Sequence, residues 1–432
     1  MLLFLAILLA VVALIGMLVN PAIGIPLLLA GKPIIDTTFD TPLVLGFPLT
    51  QMVGTAVPFV MFLWMLRASP EQGLRRMPLT LLWSVFALDV FFFSMLVVYN
   101  EGPLRGLDVL FRHINGFVGF FMFQAFFRDP RKLKTLLIAL IVAGVFPVAV
   151  GLYQAATGKI WHFQQTEGLV RSIGMYHDVL TLRLHAITPI IAILLYASLW
   201  HPRNMVLKLT AIGYAAAAAF VILRAYTKAG TAVLVLWGLI WTILQRKFAA
   251  LAALLAMALL VLPFYAEQLV ENLARVFRKE FGAIEGSVDV EQSFEGRWFG
   301  WEEMLNRWLD LGPLEMVFGA GVKAYGAHND YLQILFHGGI LGLSIYLSLL
   351  IVIGLRVLQN LRQRVDPLAV AAFMLFTMYL IDTIGLVPSS YPTYQWLVWG
   401  LIGLSFRQRE DEARERRAER RRLARISQAT GP

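Results

Sequence analysis

Apolar residues in this chain come in long unbroken blocks, separated by short segments that hold most of its charges. The blocks run over 2–30, 43–66, 79–99, 108–127, 135–154, 180–200, 207–223, 229–244, 248–265, 331–355, 368–386 and 394–406. A hydrocarbon core about 30 Å thick is crossed by about 20 residues of helix. The pattern therefore predicts an all-α polytopic membrane protein of about twelve transmembrane helices, the last of them short, with one long loop before the tenth. The first block carries Pro21 and Pro26, which fits one kinked helix or a helix plus a re-entrant piece. Parity with the later loops favours a single crossing.

Loop charge sets the orientation. Arg67, Arg75 and Arg76, then Arg128, Arg131, Lys132 and Lys134, then Arg203 and Lys208, then Arg246 and Lys247, then Arg356, Arg362 and Arg364 fall in alternate loops. These loops and the tail beyond Arg407 are expected in the cytoplasm, with both termini inside. The loops 155–179 and 266–330 then lie outside. The first block lacks the basic flank and small-residue cleavage site of a signal peptide, so it reads as a retained segment. The chain divides into an N-terminal bundle of about nine helices (1–265), the outer loop (266–330), the C-terminal helices (331–406) and a basic tail (407–432).

Composition agrees with this reading and removes several classes of function. Of 432 residues, 58% are hydrophobic and 15% charged, and the mean hydropathy is +0.69, far from a soluble domain. There is no cysteine, hence no disulfide or thiolate metal site. No internal repeat, P-loop or dinucleotide fingerprint is present, so nothing points to nucleotide-driven transport or a dinucleotide cofactor, and no nucleic-acid partner is expected. The net charge of +9 comes partly from the tail, where Glu410/Arg414 and Glu412/Arg416 stand one helical turn apart.

Two stretches of the long outer loop have the periodicity of helices lying on a membrane surface. One places Leu269, Val270, Leu273, Val276, Phe277 and Phe281 at helical spacing; the other aligns Trp298, Trp301, Leu305 and Trp308. The connector between them, with Asp289 and Glu291, reads as a solvated acidic loop. Next comes Gly319-Ala320-Gly321 and then Ala327-His328-Asn329-Asp330-Tyr331-Leu332, which puts an ionisable imidazole at the membrane surface. Asn329 or Asp330 suits the N-cap of the following helix. His337, nine residues on, faces roughly away from His328 at about 100° per residue and reads as buried or at the lipid edge. Gly338 and Gly342 form a GxxxG suited to close helix packing. Asp89, Arg112, His113, Arg183, His185 and Asp382 lie in or near the spans, where charge needs a partner or a polar cavity. Asp89 and Asp382 are candidate partners for Arg183 and His185. Asp36 and Asp40 read as turn chemistry.

Arg297-Trp298 opening a helix, Gly319-Ala320-Gly321, His328-Asn329-Asp330-Tyr331-Leu332-Gln333 and Gly338-Gly339-Ile340-Leu341-Gly342 together resemble the signature region of the bacterial O-antigen ligase and O-antigen polymerase superfamily. Arg171-Ser172-Ile173-Gly174 and Tyr226-Thr227-Lys228-Ala229-Gly230 fit the same family. The resemblance implies an enzyme of the bacterial inner membrane with a periplasmic active site. Such an enzyme moves a glycan from an undecaprenyl-diphosphate carrier to an acceptor hydroxyl, on a glycolipid such as lipid A–core or on another glycan, without metal or cofactor. His328 would be the general base. Arg297, Lys228, Arg224 and Arg171 would hold the diphosphate. Arg183, His185, Asn329 and Tyr331 would line the channel or the acceptor side. Partners would be the lipid-linked glycan, its acceptor and membrane lipids. Two departures stand out: Lys228 lies where the family carries Arg, so a point charge replaces a planar fork, and His337 lies where an acidic residue is common. Ligase is favoured over polymerase, because these cations suit one diphosphate better than two. The rivals from outside the family are a lipid-linked glycan transporter and a metal-dependent transferase with ligands in the first outer loop.

Overall fold

The computed structural model describes every residue except 45, 68–73, 167, 247–269, 273, 288–296, 325–327 and 430–432. Fifteen of its helices are used below: α1 (Leu2–Val19), α2 (Pro21–Ile35), α3 (Leu49–Arg67), α4 (Thr80–Glu101), α5 (Pro103–Phe126), α6 (Pro130–Ala143), α7 (Val145–Thr157), α8 (Val179–Trp200), α9 (Met205–Arg224), α10 (Lys228–Gln245), α11 (Arg297–Leu309), α12 (Pro313–Phe318), α13 (Asp330–Gln363), α14 (Pro367–Gly385) and α15 (Pro392–Ala429). Two small antiparallel hairpins, Pro42–Val44 with Phe47–Pro48 and Gln165–Thr166 with Leu169–Val170, sit in loops. The chain is thus an all-α, multi-span membrane protein.

Short polar residues start these helices. Asn20, Asp129, Asp178, Asn204, Thr227, Asn329 and Asp366 each accept a backbone N–H of the turn that follows, which satisfies donors that have no intrahelical partner. Pro follows directly at Asn20, Asp129 and Asp366, at the position where a missing N–H costs nothing.

Among the described residues, nine helical segments are long and apolar enough to cross a membrane. The difference from twelve has particular causes. The block at 248–265 lies outside the described residues. α3 runs over Leu49–Arg67, and its apolar stretch among the described residues, Leu49–Met65, is shorter than the nine. α15 runs without a break from its apolar start into the charged tail. The first block is neither one kinked helix nor a single crossing. It folds back at Asn20, and α2 packs antiparallel on α1: a Cβ on Gly24 would lie 2.0 Å from the Met17 nitrogen, and one on Gly31 would lie 3.2 Å from Leu9 Cβ. Met1 and Asp36 therefore share one end of the bundle. Because α15 ends at the other, the termini do not share an end as loop parity implies. The block at 135–154 is also divided, by a break at Gly144, where a Cβ would lie 2.3 Å from Pro189 Cγ.

One hydrophobic core takes in both halves of the chain, with Trp83, Phe120 and Phe121 meeting Tyr346, Trp396 and Trp399. Glycine lets α15 lie directly on α5: a Cβ on Gly119 would sit 2.7 Å from the Gln395 carbonyl oxygen, and one on Gly403 would sit 2.3 Å from that of Phe120. At the end of the bundle away from Asp36, α15 gathers three of the basic loops. Arg407 donates to the Arg76 carbonyl, Asp411 pairs with Arg128 at 2.7 Å, Glu410 with Arg356 at 2.5 Å, and Arg409 with Asp366 at 2.5 Å. The tail is therefore anchored over its first turn, and it becomes a solvated helix only beyond. Its expected one-turn pairs form, Glu410–Arg414 at 3.6 Å and Glu412–Arg416 at 3.2 Å.

The outer-loop helices are less superficial than their periodicity implies. Helical residues over 274–284 bury Val276 against Leu169 and Tyr226. α11 buries Met304 and Trp308 against Leu335 and Phe336 of α13, while Trp298 and Leu305 stay exposed. The Trp stripe is thus divided between protein and surface.

Candidate functional site

The local conformation at 328–330 follows from the cap. Asn329 is extended, and its Oδ1 accepts the Leu332 N–H at 3.1 Å. To feed that cap the chain turns through His328 with φ of 41°, a left-handed conformation uncommon outside glycine and more accessible to His, Asn and Asp than to bulkier residues. His328 is exposed, Asn329 half-buried and Asp330 fully buried. Asp330 is held by hydroxyls: Ser389 donates to Oδ1, while Tyr346 at 2.6 Å and Tyr379 at 3.2 Å donate to Oδ2. Asn329 is therefore the cap and Asp330 an internal fastening. Tyr331 turns inward and accepts from Thr383 at 3.0 Å.

These contacts bring the motif to the C-terminus of α14. The last carbonyls of a helix lack intrahelical donors and form its negative end. Asn329 Nδ2 donates to the Ile384 carbonyl at 3.3 Å. Arg297, at the start of α11, reaches the same place, its Nη1 so close to Gly385 that a Cβ there would lie 2.7 Å away. Three residues earlier on α14, Asp382 lies 2.6 Å from Arg183 Nη2 and accepts from Tyr394 at 2.7 Å. Arg183 in turn leans on Gly230 in the first turn of α10, where a Cβ would be 3.0 Å from Arg183 Cδ. Arg224 and Lys228 flank that turn. Arg224 donates to the Tyr226 hydroxyl at 2.6 Å, and Lys228 pairs with Glu280 at 2.5 Å. Arg171 is buried in the loop before α8, whose hairpin residue Leu169 packs on Tyr226. Arg297, Asn329, Arg183, Lys228, Arg224 and Arg171 thus form a continuous neighbourhood around the ends of α14 and α10.

His185 does not belong to it. Two residues along α8 amount to about 200° of rotation, so Arg183 and His185 leave on opposite faces. His185 Nε2 lies 2.9 Å from Asp36 Oδ2, and Lys32 pairs with the other oxygen of Asp36. The partners expected from sequence are thus half right: Arg183 takes Asp382, His185 takes Asp36, and Asp89 faces Gly342, where a Cβ would lie 3.0 Å from its Oδ2. Gly338 meets Phe93 in the same way, so the GxxxG does admit close approach. His337 is buried, stacked on Phe93.

Asp36 belongs to a cleft that the sequence reading passed over. A cavity of about 740 Å3 opens between α3, α5, α8 and the start of α15, with apolar walls that include Phe59, Leu104 and Phe111. Its polar end holds Lys32 with Asp36, Arg112 with Asp108 at 2.9 Å, and His177 with Asp178 at 2.9 Å. Burial alone would raise the Asp178 carboxyl, but the His177 hydrogen bond and charge, Tyr391 and the Thr181 N–H outweigh it and hold the group at about 2. Burial opposes charge on His177, but Asp178 raises its pKa above the ordinary 6.5. The Asp36 carboxyl is held below its usual range, burial again being outweighed by Lys32 and His185. The signal for this cleft was the ionisable residues at the ends of spans, Asp108, Arg112 and Asp178 among them. Nothing in sequence marked which of them converge.

Asp36 and Asp40 do not act together: the first is buried and the second exposed, with Thr41 as its donor at 3.3 Å. Among the described residues no three His, Asp or Glu side chains converge as metal ligands; Asp289 and Glu291 lie outside those residues. No protein-family model matches the chain, and no curated protein matches it.

Proposed function

We propose that this protein is a glycosyltransferase of the bacterial inner membrane that moves a polysaccharide from undecaprenyl diphosphate to an acceptor hydroxyl, in the manner of an O-antigen ligase. The observation that carries the reading is that Asn329, the residue after His328, and Arg297 both reach the C-terminus of α14, at the end of the bundle away from the Arg76, Arg128 and Arg356 loops. A sugar hydroxyl is a weak nucleophile at neutral pH and needs a base within hydrogen-bond reach, and exposed His328 is available to one. As the new glycosidic C–O bond forms and the sugar–phosphate C–O bond breaks, the hydroxyl proton passes to His328 and negative charge collects on the departing diphosphate. Arg297, Arg171, Arg224 and Lys228 are the cations that would stabilise it. Arg183, fixed by Asp382, would keep the α14 end and the α10 turn in register.

The test is transfer by the purified protein supplied with an undecaprenyl-diphosphate glycan and an acceptor. His328→Ala is expected to lower turnover by about 10²-fold or more in a protein that still inserts and folds, and EDTA should leave wild-type turnover intact. Near-normal transfer by the variant would remove His328 from the chemistry. A second reading, a transporter of lipid-linked glycans, draws on the interruption of α13 at Gly339 (φ 64°, ψ −162°) beside buried Asp89, since broken helices mark transporter sites. A transporter delivers the intact lipid-linked glycan, so identifying the product separates the two.

A further inference from the structure

His337 stands on α13 nine residues beyond His328, which lies just before that helix, yet it grips the chain that approaches His328. Gly319, with φ of 106°, crosses so close that a Cβ would lie 1.8 Å from the His337 carbonyl oxygen. The Ala320 N–H donates to the Phe336 carbonyl at 2.9 Å, and the Ala324 N–H donates to His337 Nε2 at 2.9 Å. Residues 319–324 are thereby wrapped around residues 336–337. Asn100 adds a hydrogen bond to the Gly321 carbonyl at 3.0 Å, and Lys323 pairs with Asp108.

These contacts determine where the ring protons are. A ring nitrogen that accepts an N–H carries no proton, so neutral His337 is protonated on Nδ1. On α5, His113 Nδ1 lies 2.9 Å from the Val109 carbonyl, which can only accept, so His113 is protonated on Nδ1 and keeps a lone pair on Nε2. The two buried rings are perpendicular with centroids 5.4 Å apart. His337 Nδ1 and His113 Nε2 are both buried without a hydrogen-bond partner among the described residues. The leftover groups are one donor and one acceptor, and buried polar groups of this kind are almost always paired. A metal ion bridging them would need a lone pair on each nitrogen, and His337 has none to give.

We infer that His337 is a positioning residue: its neutral imidazole, completed by His113 as acceptor through one water, holds the Ala324 N–H and fixes residues 319–324, the stretch that comes shortly before His328. The anchoring rests on geometry alone. Its consequence for turnover rests on the role proposed for His328.

Two amide side chains separate the anchor from simple packing. Gln at 337 places its carbonyl oxygen near the position of Nε2 and can accept the Ala324 N–H, whereas Asn reaches only the Nδ1 position. Hydrogen exchange of the 319–332 segment in the full-length protein in lipid nanodiscs is expected to stay near wild type in His337→Gln. It should quicken about tenfold or more in His337→Asn and His337→Phe, since a lost local tie lowers the free energy of opening. Ala324→Pro, which removes the N–H without touching α13, should reproduce the Phe variant and add nothing in the double substitution. Transfer kinetics should show kcat lowered about tenfold in the Asn variant, the expected scale for a displaced catalytic group, with KM held within about twofold. Equal protection in the Asn and Gln variants, or a Gln variant that exchanges like Phe, overturns the anchor. The expected exchange pattern with wild-type kcat in the Asn variant overturns the positioning role. The expected exchange pattern with no transfer by wild type leaves the anchor standing and removes the proposed function instead.

Discussion

The Arg183–Asp382 pair is the fastening between the α10 turn and the α14 end, and its worth can be worked from its surroundings. The two side chains are 2% and 0% exposed and 2.6 Å apart, and the carboxylate has Tyr394 as its other partner at 2.7 Å. Arg183→Met leaves that carboxylate buried with a phenol alone; breaking a buried pair from one side costs about 3–5 kcal/mol. Arg183→Met with Asp382→Leu removes both charges and orphans only the Tyr394 hydroxyl, a loss of about 1–3 kcal/mol. The double variant is therefore expected to be more stable than Arg183→Met, a departure from additivity that a distant pair would not show. Denaturant titration in detergent, followed by tryptophan fluorescence, measures the three midpoints. Additive losses, or a loss in Arg183→Met below about 1 kcal/mol, the range of an ordinary surface substitution, would refute the reasoning. Transfer should fall in all three variants, because Ile384, which Asn329 contacts, is two residues from Asp382.

Gly339→Ala should disable the protein or prevent its folding, because φ is +64° and the new Cβ would lie 2.3 Å from the Val317 carbonyl oxygen; expression and melting of this variant beside Gly213→Ala, which meets nothing within 4 Å, are the check. Because the folded pKa of His177 is raised, its clasp on Asp178 contributes fully below the unfolded value near 6.5 and is lost as pH rises through the folded value; the melting difference between wild type and His177→Gln should shrink above neutrality, and a constant difference would tell against the clasp. Asp178, held at about 2, contributes above its unfolded value and loses that contribution as pH falls toward 2, so Asp178→Asn should cost least in strong acid. Since the chain has no cysteine, single cysteines replacing Leu2, Thr157 and Gln363 can be labelled from either side; Leu2 and Thr157 should react together and Gln363 from the opposite side, and labelling of Leu2 with Gln363 would undo the α1–α2 hairpin.

Sequence was most informative where one physical constraint acts alone. Block length and hydropathy gave the helical, multi-span class, and cap chemistry placed the start of α13 at Asn329. The GxxxG likewise anticipated close packing at Gly338 and Gly342. The hairpin at Asn20 was not legible, because an apolar block does not record its direction, and Pro21 looks the same at a kink as at the first residue of a new helix. The pairing of intramembrane charge was half legible: 100° per residue separates Arg183 from His185, but it takes tertiary structure to show that Asp36, from a loop 149 residues away, meets the imidazole. His337 was read correctly as buried, while its hold on Ala324 depends on a loop path that no periodicity encodes.

If the protein transfers a lipid-linked glycan as proposed, the distribution of charge bears on whether it would act as a ligase or as a polymerase. A ligase grips one lipid diphosphate and admits a glycolipid acceptor; a polymerase must grip two diphosphates. Around the ends of α14 and α10 gather Arg171, Arg183, Arg224, Lys228 and Arg297, of which Arg183 pairs with Asp382 and Lys228 with Glu280. In the cleft the cations are already engaged by carboxylates: Lys32 with Asp36, which also takes His185, Arg112 with Asp108, which also takes Lys323, and His177 with Asp178. Holding a second diphosphate there would mean separating such pairs, whereas a hydroxyl-rich head with an apolar anchor meets paired charge and the Phe59, Leu104 and Phe111 wall without doing so. Under the proposed function, one diphosphate site and one site for a neutral amphiphile, the requirement of a ligase, would fit this arrangement better than two diphosphate sites. Deleting the gene should then strand polymerised glycan of unchanged chain-length distribution on its carrier. Accumulation of single repeat units would instead require a second diphosphate site, and with it the opening of one of the cleft's ion pairs.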